Sequence, residues 1–138
     1  MYSTTILLVQ PETSSGVYLR TRLETKGYTV VEAPDTTTAM NIVNGSEIAL
    51  VVTELYLRTG KSRCLARTIG QSPALRRTKV LAYTKHGKRE DRAWARRIGA
   101  DGYVITRSGE DRFLEVVDDL METPSTPRRG RSSDATKE

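Results

Sequence analysis

Cysteine and histidine, which often act in catalysis and bind metals, are scarce in this sequence of 138 residues. There is one cysteine, Cys64, and one histidine, His86, so neither an internal disulfide nor a Cys/His zinc cluster can form. No serine and acid are spaced around His86 as a catalytic triad requires, and no glycine-rich phosphate-binding motif is present. These patterns predict neither zinc binding, nor triad catalysis, nor nucleotide-dependent chemistry.

Charge is divided unevenly along the chain. Residues 58–97 carry thirteen Lys and Arg against Glu90 and Asp91, whereas residues 98–123 carry seven acids against Arg107 and Arg112. The net charge of the whole chain is only +5, which understates the local positive field of the basic segment. That segment is either a solvated face that acids offset in space or a docking surface for an acidic partner.

Alternating apolar runs and helical patterns indicate five strands and five helices. The strands are predicted at residues 5–9, 28–32, 48–53, 79–84 and 103–105. The helices, with their capping residues, are predicted at 14–26, 35–43, 62–69, 88–98 and 110–121. Residues 124–138 are almost entirely polar, and we expect this basic tail to be disordered. Residues 1–123 then form one domain of the α/β class.

Strands that alternate with single helices predict a doubly wound, five-stranded parallel sheet with helices on both faces. In such sheets the functional crevice lies at the carboxyl ends of the strands. The candidate site therefore consists of the residues at those ends, which fall at 10–12, 53–58, 84–87 and 106–108. No apolar run is long enough to cross a membrane and no secretory signal is evident, so we expect no membrane association and a cytoplasmic location.

Three segments resemble the receiver domain of bacterial two-component response regulators. They are LVVTELYLRTG at 50–60, SPALRRTKVL at 72–81 and RIGADGYVIT at 97–106, and they follow one another in the order and spacing of that family. The resemblance covers residues 5–121. It implies the flavodoxin-like (βα)5 fold of CheY-like receivers and a place in phosphorelay signal transduction.

The resemblance also identifies the family's phosphoacceptor site, which needs two acids for magnesium, an aspartate that receives the phosphoryl group, a hydroxyl residue and a lysine. Carried onto this sequence, the acidic pair becomes Gln10 and Pro11, and the aspartate becomes Glu54. The hydroxyl residue is Thr84, and the lysine becomes Thr106. Of these positions, only Thr84 keeps the expected residue type.

These changes remove charge from the site and lengthen the side chain at the acceptor position. Gln10 is neutral and Pro11 has no side-chain ligand, so both anionic ligands of magnesium are lost. Glu12 is acidic, but it lies one position after those of the family's acidic pair. Thr106 cannot neutralise phosphoryl charge, and Glu54 is one methylene longer than aspartate. The resemblance therefore implies a degenerate receiver that binds no Mg²⁺ or other cofactor, accepts no phosphoryl group and has no catalytic residues.

Glu54 has two interpretations in such a site. It is either a strand-end glutamate that is solvated or paired with Lys85, or a built-in mimic of the phosphorylated state that accepts a hydrogen bond from Thr84. Threonine in place of lysine at position 106 weakens the second interpretation, because an anion there would lack its counter-charge.

The fourth predicted helix carries the one tryptophan of the chain. Ala93 is placed on its inward stripe, so Trp94 points sideways or outward, or else covers the flank of the sheet edge. Trp, Tyr and Arg dominate binding energies at interfaces. The resemblance implies that the face formed by the fourth helix, the fifth strand and the fifth helix is the partner surface, with Tyr103 as the family's aromatic switch residue. The residues predicted to bind a partner are Trp94, Tyr103, Arg89, Arg96, Arg97 and Arg107.

The leading hypothesis is a non-enzymatic signalling module, a stand-alone atypical receiver that acts through protein–protein interaction. Its partner is expected to present an acidic surface and to be a signalling protein or a second copy of the chain. The alternative is a basic nucleic-acid-associated module that uses residues 58–97 and the arginines of the tail to contact phosphates. The two hypotheses differ in whether acids of residues 98–123 neutralise the basic segment in the folded protein.

Overall fold

The computed structural model describes residues 4–9, 16–54, 65–70, 72–75, 77–84, 89–97, 99–105 and 110–122. The strands are β1 (Thr5–Val9), β2 (Thr29–Ala33), β3 (Leu50–Glu54), β4 (Lys79–Thr84) and β5 (Gly102–Ile105). The helices are α1 (Gly16–Thr25), α2 (Thr36–Gly45), α3 (Leu65–Gly70), α4 (Arg89–Arg97) and α5 (Glu110–Glu122), with a 3₁₀ turn at Pro73–Leu75. The predicted disordered tail at 124–138 lies outside the described residues. Among the described helices, none has the length and apolar character that a bilayer span requires.

The five strands form one sheet in the order β2-β1-β3-β4-β5, and its four strand pairs are parallel. The chain passes from β1 outward to β2 and then returns to place β3 on the other side of β1. The strand order therefore reverses at the boundary between β1 and β3, where doubly wound folds form their crevice. This topology confirms the doubly wound, five-stranded parallel sheet predicted from the alternation of elements.

Apolar side chains cover both faces of the sheet, which explains why the central strands are continuous apolar runs. Helices α2, α3 and α4 pack on one face, and α1 and α5 pack on the other. The first core cluster contains Leu7, Val9, Ala33, Ala39, Val43, Ile48, Val51, Leu65, Ile69, Val80, Ala82 and Ala95. The second core cluster contains Ile6, Leu8, Leu19, Leu23, Val30, Leu50, Val52, Leu81, Tyr83, Val104, Phe113, Leu114 and Val117.

Most element bounds agree with the sequence prediction within two residues, and those of β1 and β4 match it. The predicted cap of α2 is confirmed, because the amide of Thr38 donates to Oδ1 of Asp35 at 2.8 Å. Strand β3 starts later than predicted and includes Glu54. Ile48 is nevertheless buried, and the hydroxyl of Thr78 donates to its carbonyl at 2.9 Å. The chain is therefore fixed in the core before the strand begins.

Helices α1 and α4 are both followed by a glycine with φ of 98°, Gly27 and Gly99 respectively. This left-handed conformation is strained for other residues, and it turns the chain out of the helix. After α4, the amide of Ala100 donates back to the carbonyl of Ala95 at 3.0 Å. The glycine turn thereby directs the chain from the last turn of α4 toward β5.

A side chain completes the pairing between β4 and the start of β5. Asp101 Oδ2 accepts a hydrogen bond from the amide of Val80 at 2.7 Å, and the amide of Asp101 donates to the carbonyl of Val80 at 2.7 Å. The next residue, Gly102, allows α5 to approach closely, since a Cβ there would lie 3.1 Å from Leu120 Cδ1. Beyond it, Tyr103 packs against the first core cluster and Val104 belongs to the second.

Candidate functional site

Two of the predicted phosphoacceptor residues end neighbouring strands. Glu54 is the last residue of β3 and Thr84 is the last residue of β4, and both are half-buried. In the pairing of these strands Glu54 lies opposite Tyr83, so Thr84 extends one residue further. The structure therefore brings Glu54, Tyr83 and Thr84 together at the carboxyl edge of the sheet, next to the boundary between β1 and β3.

Tyr83 is a member of this site that the sequence analysis did not single out. It is 5% exposed and belongs to the second core cluster. Register partners on adjacent parallel strands place their side chains on the same face of the sheet, so the phenol shares a face with the carboxylate of Glu54. Burial, and secondarily the charge of Glu54, raises the pKa of Tyr83. The neighbour of Glu54 on β4 is therefore a neutral hydroxyl and not a cation.

The remaining predicted residues of the phosphoacceptor site lie outside the described part of the chain. They are Gln10, Pro11, Glu12 and Thr106, together with Lys85, the predicted ion-pair partner of Glu54. Where the chain is described, no group of three His, Cys, Asp or Glu side chains is placed to hold a metal ion. An amide and a proline at the carried-over magnesium positions do not supply the anionic oxygens that Mg²⁺ prefers, so the residue types do not fit the ion.

Helix α4 turns a different side toward the core than the sequence analysis expected. Ala95 is 1% exposed and belongs to the first core cluster, whereas Ala93 is exposed, so the placement of Ala93 on the inward stripe is wrong. Trp94 is half-buried and packs sideways against the same cluster. The sequence of the helix is REDRAWARR, in which Ala93 and Ala95 flank Trp94. Because these three apolar residues are adjacent, the pattern does not indicate which side of the helix is buried.

Two arginines stack on aromatic rings beside α4. The guanidinium carbon of Arg67, on α3, lies 5.6 Å from the centroid of the Trp94 ring. That of Arg92, on α4 itself, lies 5.3 Å from the centroid of the Tyr103 ring in β5. Both distances fall within the range of a cation–π interaction. Trp94 and Tyr103 therefore each support an arginine, which the sequence analysis did not anticipate.

Two further arginines of α4 face solvent. Arg89 is the first residue of the helix, and Arg96 and Arg97 in its last turn are exposed. Neither Arg96 nor Arg97 makes an ion pair with a side chain that the structure describes. The half-buried acid Asp118 of α5 pairs instead with Lys26, at 2.5 Å. Positive charge at the end of α4 is thus left open to solvent, while Arg107 lies outside the described residues.

Known proteins share this fold and, in part, this sequence. A family model described as "Response regulator receiver domain" matches residues 6–118. The transcriptional regulatory protein GlrR of Escherichia coli K12 is 25% identical over 135 residues, which cover 96% of this chain and 30% of GlrR. A putative response regulator from Chloroflexus aurantiacus superposes with a TM-score of 0.80 at 18% identity, over 88% of this chain and 99% of that one. The chemotaxis protein CheY4 of Vibrio cholerae superposes with a TM-score of 0.75 at 15% identity, over 87% and 99% of the two chains. The chain thus spans nearly the whole of the solved proteins but less than a third of the curated relative.

Proposed function

The chain belongs to the response regulator receiver domain family, and we propose that it is a receiver that signals through protein contacts without binding Mg²⁺ or accepting a phosphoryl group. The observation that carries this proposal is Glu54 at the end of β3, where the resemblance to the family puts the phosphorylated aspartate. Its neighbour on β4 is the buried, neutral Tyr83.

The length of the Glu54 side chain opposes its use as a phosphoryl acceptor. Glutamate is one methylene longer than aspartate, so its carboxylate extends further from the backbone. Strand β3 lies between β1 and β4, which fix the backbone on both sides. At Glu54 the pairing with β4 continues, which opposes a retreat of the backbone that would compensate for the added length. A displacement of about 1 Å can lower a reaction rate on the order of a hundredfold.

The charges around Glu54 also oppose phosphoryl transfer. This reaction depends on cations that neutralise the charge developing on the phosphoryl oxygens. Threonine at position 106 supplies no cation, and Gln10 and Pro11 supply neither of the carboxylates that would hold magnesium. A receiver of this composition lacks the cation and the anionic magnesium ligands that the transfer uses, which favours action through contact with other proteins.

A titration followed by amide chemical shifts tests this proposal. Acetyl phosphate, or beryllofluoride, is added to the protein at millimolar magnesium, and we expect no shifts near Glu54 or Thr84. The variant Glu54→Asp restores the acceptor type alone and should stay equally silent, because the missing cation and magnesium ligands are unchanged. Shifts clustered around Glu54 and Thr84 in the parent protein would overturn the proposal. A response of Glu54→Asp alone would show that side-chain length, and not charge, prevents the reaction.

The proposed contacts with a partner are made from α4 and β5. Stacked arginines on Trp94 and Tyr103 and the exposed charges of Arg96 and Arg97 support this assignment. They favour a partner with an acidic surface, either a signalling protein or a second copy of the chain. The full set of residues in this proposal is Trp94, Tyr103, Arg89, Arg96, Arg97 and Arg107.

A further inference from the structure

We propose that the α3–α4 face, defined as Arg67, Trp94 and Arg97, binds an acidic polypeptide segment of a partner protein. This inference rests on the proposed function only in requiring that the partner is a protein. It adds to the α4–β5 contacts proposed above a site for the carboxylates of the partner on the side of α4 that faces α3.

The Arg67–Trp94 pair holds a guanidinium ready for a carboxylate. Arg67 is exposed, and its guanidinium carbon lies 5.6 Å from the centroid of the indole ring. An arginine stacked on a ring keeps its in-plane N–H groups directed outward, where they match the two oxygens of a carboxylate. Trp94 packs against the first core cluster, which restrains the indole ring. A support fixed in this way lowers the entropy that Arg67 loses on binding.

The distribution of charge favours the α3 side of α4 over the β5 side. Residues 58–88 carry nine Lys and Arg and no acid. Beyond β5 comes α5, whose side chains Asp111, Glu115 and Glu122 are exposed acids. An acidic segment on the α3 side of α4 would meet the exposed Arg67 and Arg97, on the face of the sheet opposite to α5. Complementary charge of this kind determines where a partner docks and how fast it associates.

The size of the face favours a short peptide over a nucleic acid. Helix α4 has 9 residues, so its length is about 14 Å at the usual rise per residue. A face of this length can contact the carboxylates of one short peptide segment. It falls short of the roughly 6–10 phosphates that charge-driven nucleic-acid binding commonly uses.

Fluorescence of Trp94, the one tryptophan of the chain, reports directly on this face. We would titrate the protein with hexaglutamate peptide at low ionic strength, without magnesium, and expect a saturable change in indole emission. Arg67→Glu should raise the Kd by about tenfold or more, as loss of an arginine hot spot does. Arg67→Lys should cause a smaller loss, because lysine keeps the charge but lacks the planar fork.

Arg112→Glu is the matched control, because it makes the same change of charge at an exposed position of α5. It should alter the Kd by less than about twofold, since distant surface charges are screened. Circular dichroism establishes that each variant is folded. If Arg67→Glu does not fold, Arg97→Glu on the exposed side of the same face replaces it, with an expected loss of about fivefold.

Four outcomes would overturn the inference. Equal losses from Arg67→Glu and Arg112→Glu would show that net charge alone attracts the peptide. A larger loss from Arg92→Glu than from Arg67→Glu would move the site to the β5 side. Tighter binding of hexathymidylate than of hexaglutamate would indicate a nucleic acid, and no saturable change in emission would mean that no such site exists. Since magnesium and acetyl phosphate are absent throughout, none of these results depends on whether Glu54 accepts a phosphoryl group.

Discussion

Helices α4 and α5 flank the same strand, β5, but different interactions hold them to the domain. Helix α5 buries Phe113, Leu114 and Val117 in the second core cluster. Among its described side chains, α4 buries Ala95 and partly covers Trp94. Apolar burial thus anchors α5, whereas arginine–aromatic contacts support α4, and Arg96 and Arg97 stay exposed. A helix held in this second way can present a binding surface at little cost to the stability of the fold.

Polar contacts add to the difference between the two helices, because they also hold α5 to the domain. Asp118 Oδ1 accepts a hydrogen bond from the hydroxyl of Tyr28 at 2.7 Å, and Asp118 Oδ2 pairs with Lys26. Burial acts to raise the pKa of Asp118, but the hydrogen bonds from Lys26 and Tyr28 outweigh it and the pKa is lowered. The ionised carboxylate therefore ties α5 to the end of α1 and the start of β2.

The largest effect is expected from Phe113→Ala, which tests the anchoring of α5. The ring is 0% exposed, so its removal leaves a cavity in the second core cluster. We expect the free energy of unfolding to fall by about 3–5 kcal/mol, measured by urea denaturation. A loss below about 1.5 kcal/mol would show that α5 is not held mainly by burial, and the contrast with α4 would fail.

Asp118→Ala should have the next largest effect, about 2 kcal/mol, because it leaves Lys26 and the Tyr28 hydroxyl without their shared acceptor. The lowered pKa of Asp118 means that its contribution is present above the ordinary carboxyl value of 3.8 and is lost as the pH falls through the folded-state value. Unfolding measured across this acidic range should therefore show a smaller pH dependence in the variant. Glu115→Ala, which removes an exposed ion pair with Arg112, is the control and should cost less than about 0.5 kcal/mol. An equal loss from both variants would mean that the Asp118 contacts are no stronger than a surface pair.

The smallest effect is expected from Trp94→Phe on α4. Phenylalanine loses part of the packing on the first core cluster, but it also removes the buried Nε1 donor, which lacks a partner among the described residues. The lost packing lowers the stability and the removal of the buried donor raises it. We therefore expect the free energy of unfolding to change by less than about 1 kcal/mol. Thermal and urea denaturation measure the change. A loss above about 2 kcal/mol would show that the tryptophan anchors α4 as Phe113 anchors α5.

The same contrast explains how much of the fold could be predicted from the sequence. The sequence of α5 places Phe113, Leu114, Val117 and Leu120 on one apolar stripe; the first three are buried, and Leu120 is partly buried against the second core cluster. Helix α4 offers only Ala93, Trp94 and Ala95, which are adjacent and therefore point in several directions. The strand pattern was sufficient for the sheet, because continuous apolar runs between helices require a parallel arrangement. Which side of a polar helix faces the core depends on the elements that pack against it. The local sequence pattern gives no information on those elements.

The candidate site divides in a similar way. Glu54 and Thr84 could be located because strand ends in a doubly wound sheet meet at one edge. Tyr83 could not be located from the sequence, because its position beside Glu54 depends on the register of β3 against β4. The stacking of Arg67 on Trp94 joins two helices that are separated by a strand, and no local spacing signals it. Contacts set by register or by packing between distant elements appear only in the folded chain.

Asp101 protects the protein against slippage of its shortest strand. A four-residue strand such as β5 has few backbone bonds to hold it in place, and a shift by one residue would exchange its two faces. The carboxylate of Asp101 on the amide of Val80 fixes where the strand begins. In a shifted strand, Tyr103 would leave Arg92 and the first core cluster, and Val104 would leave the second. One side chain outside the strand thus helps to set which residues of β5 face α4 and which face α5.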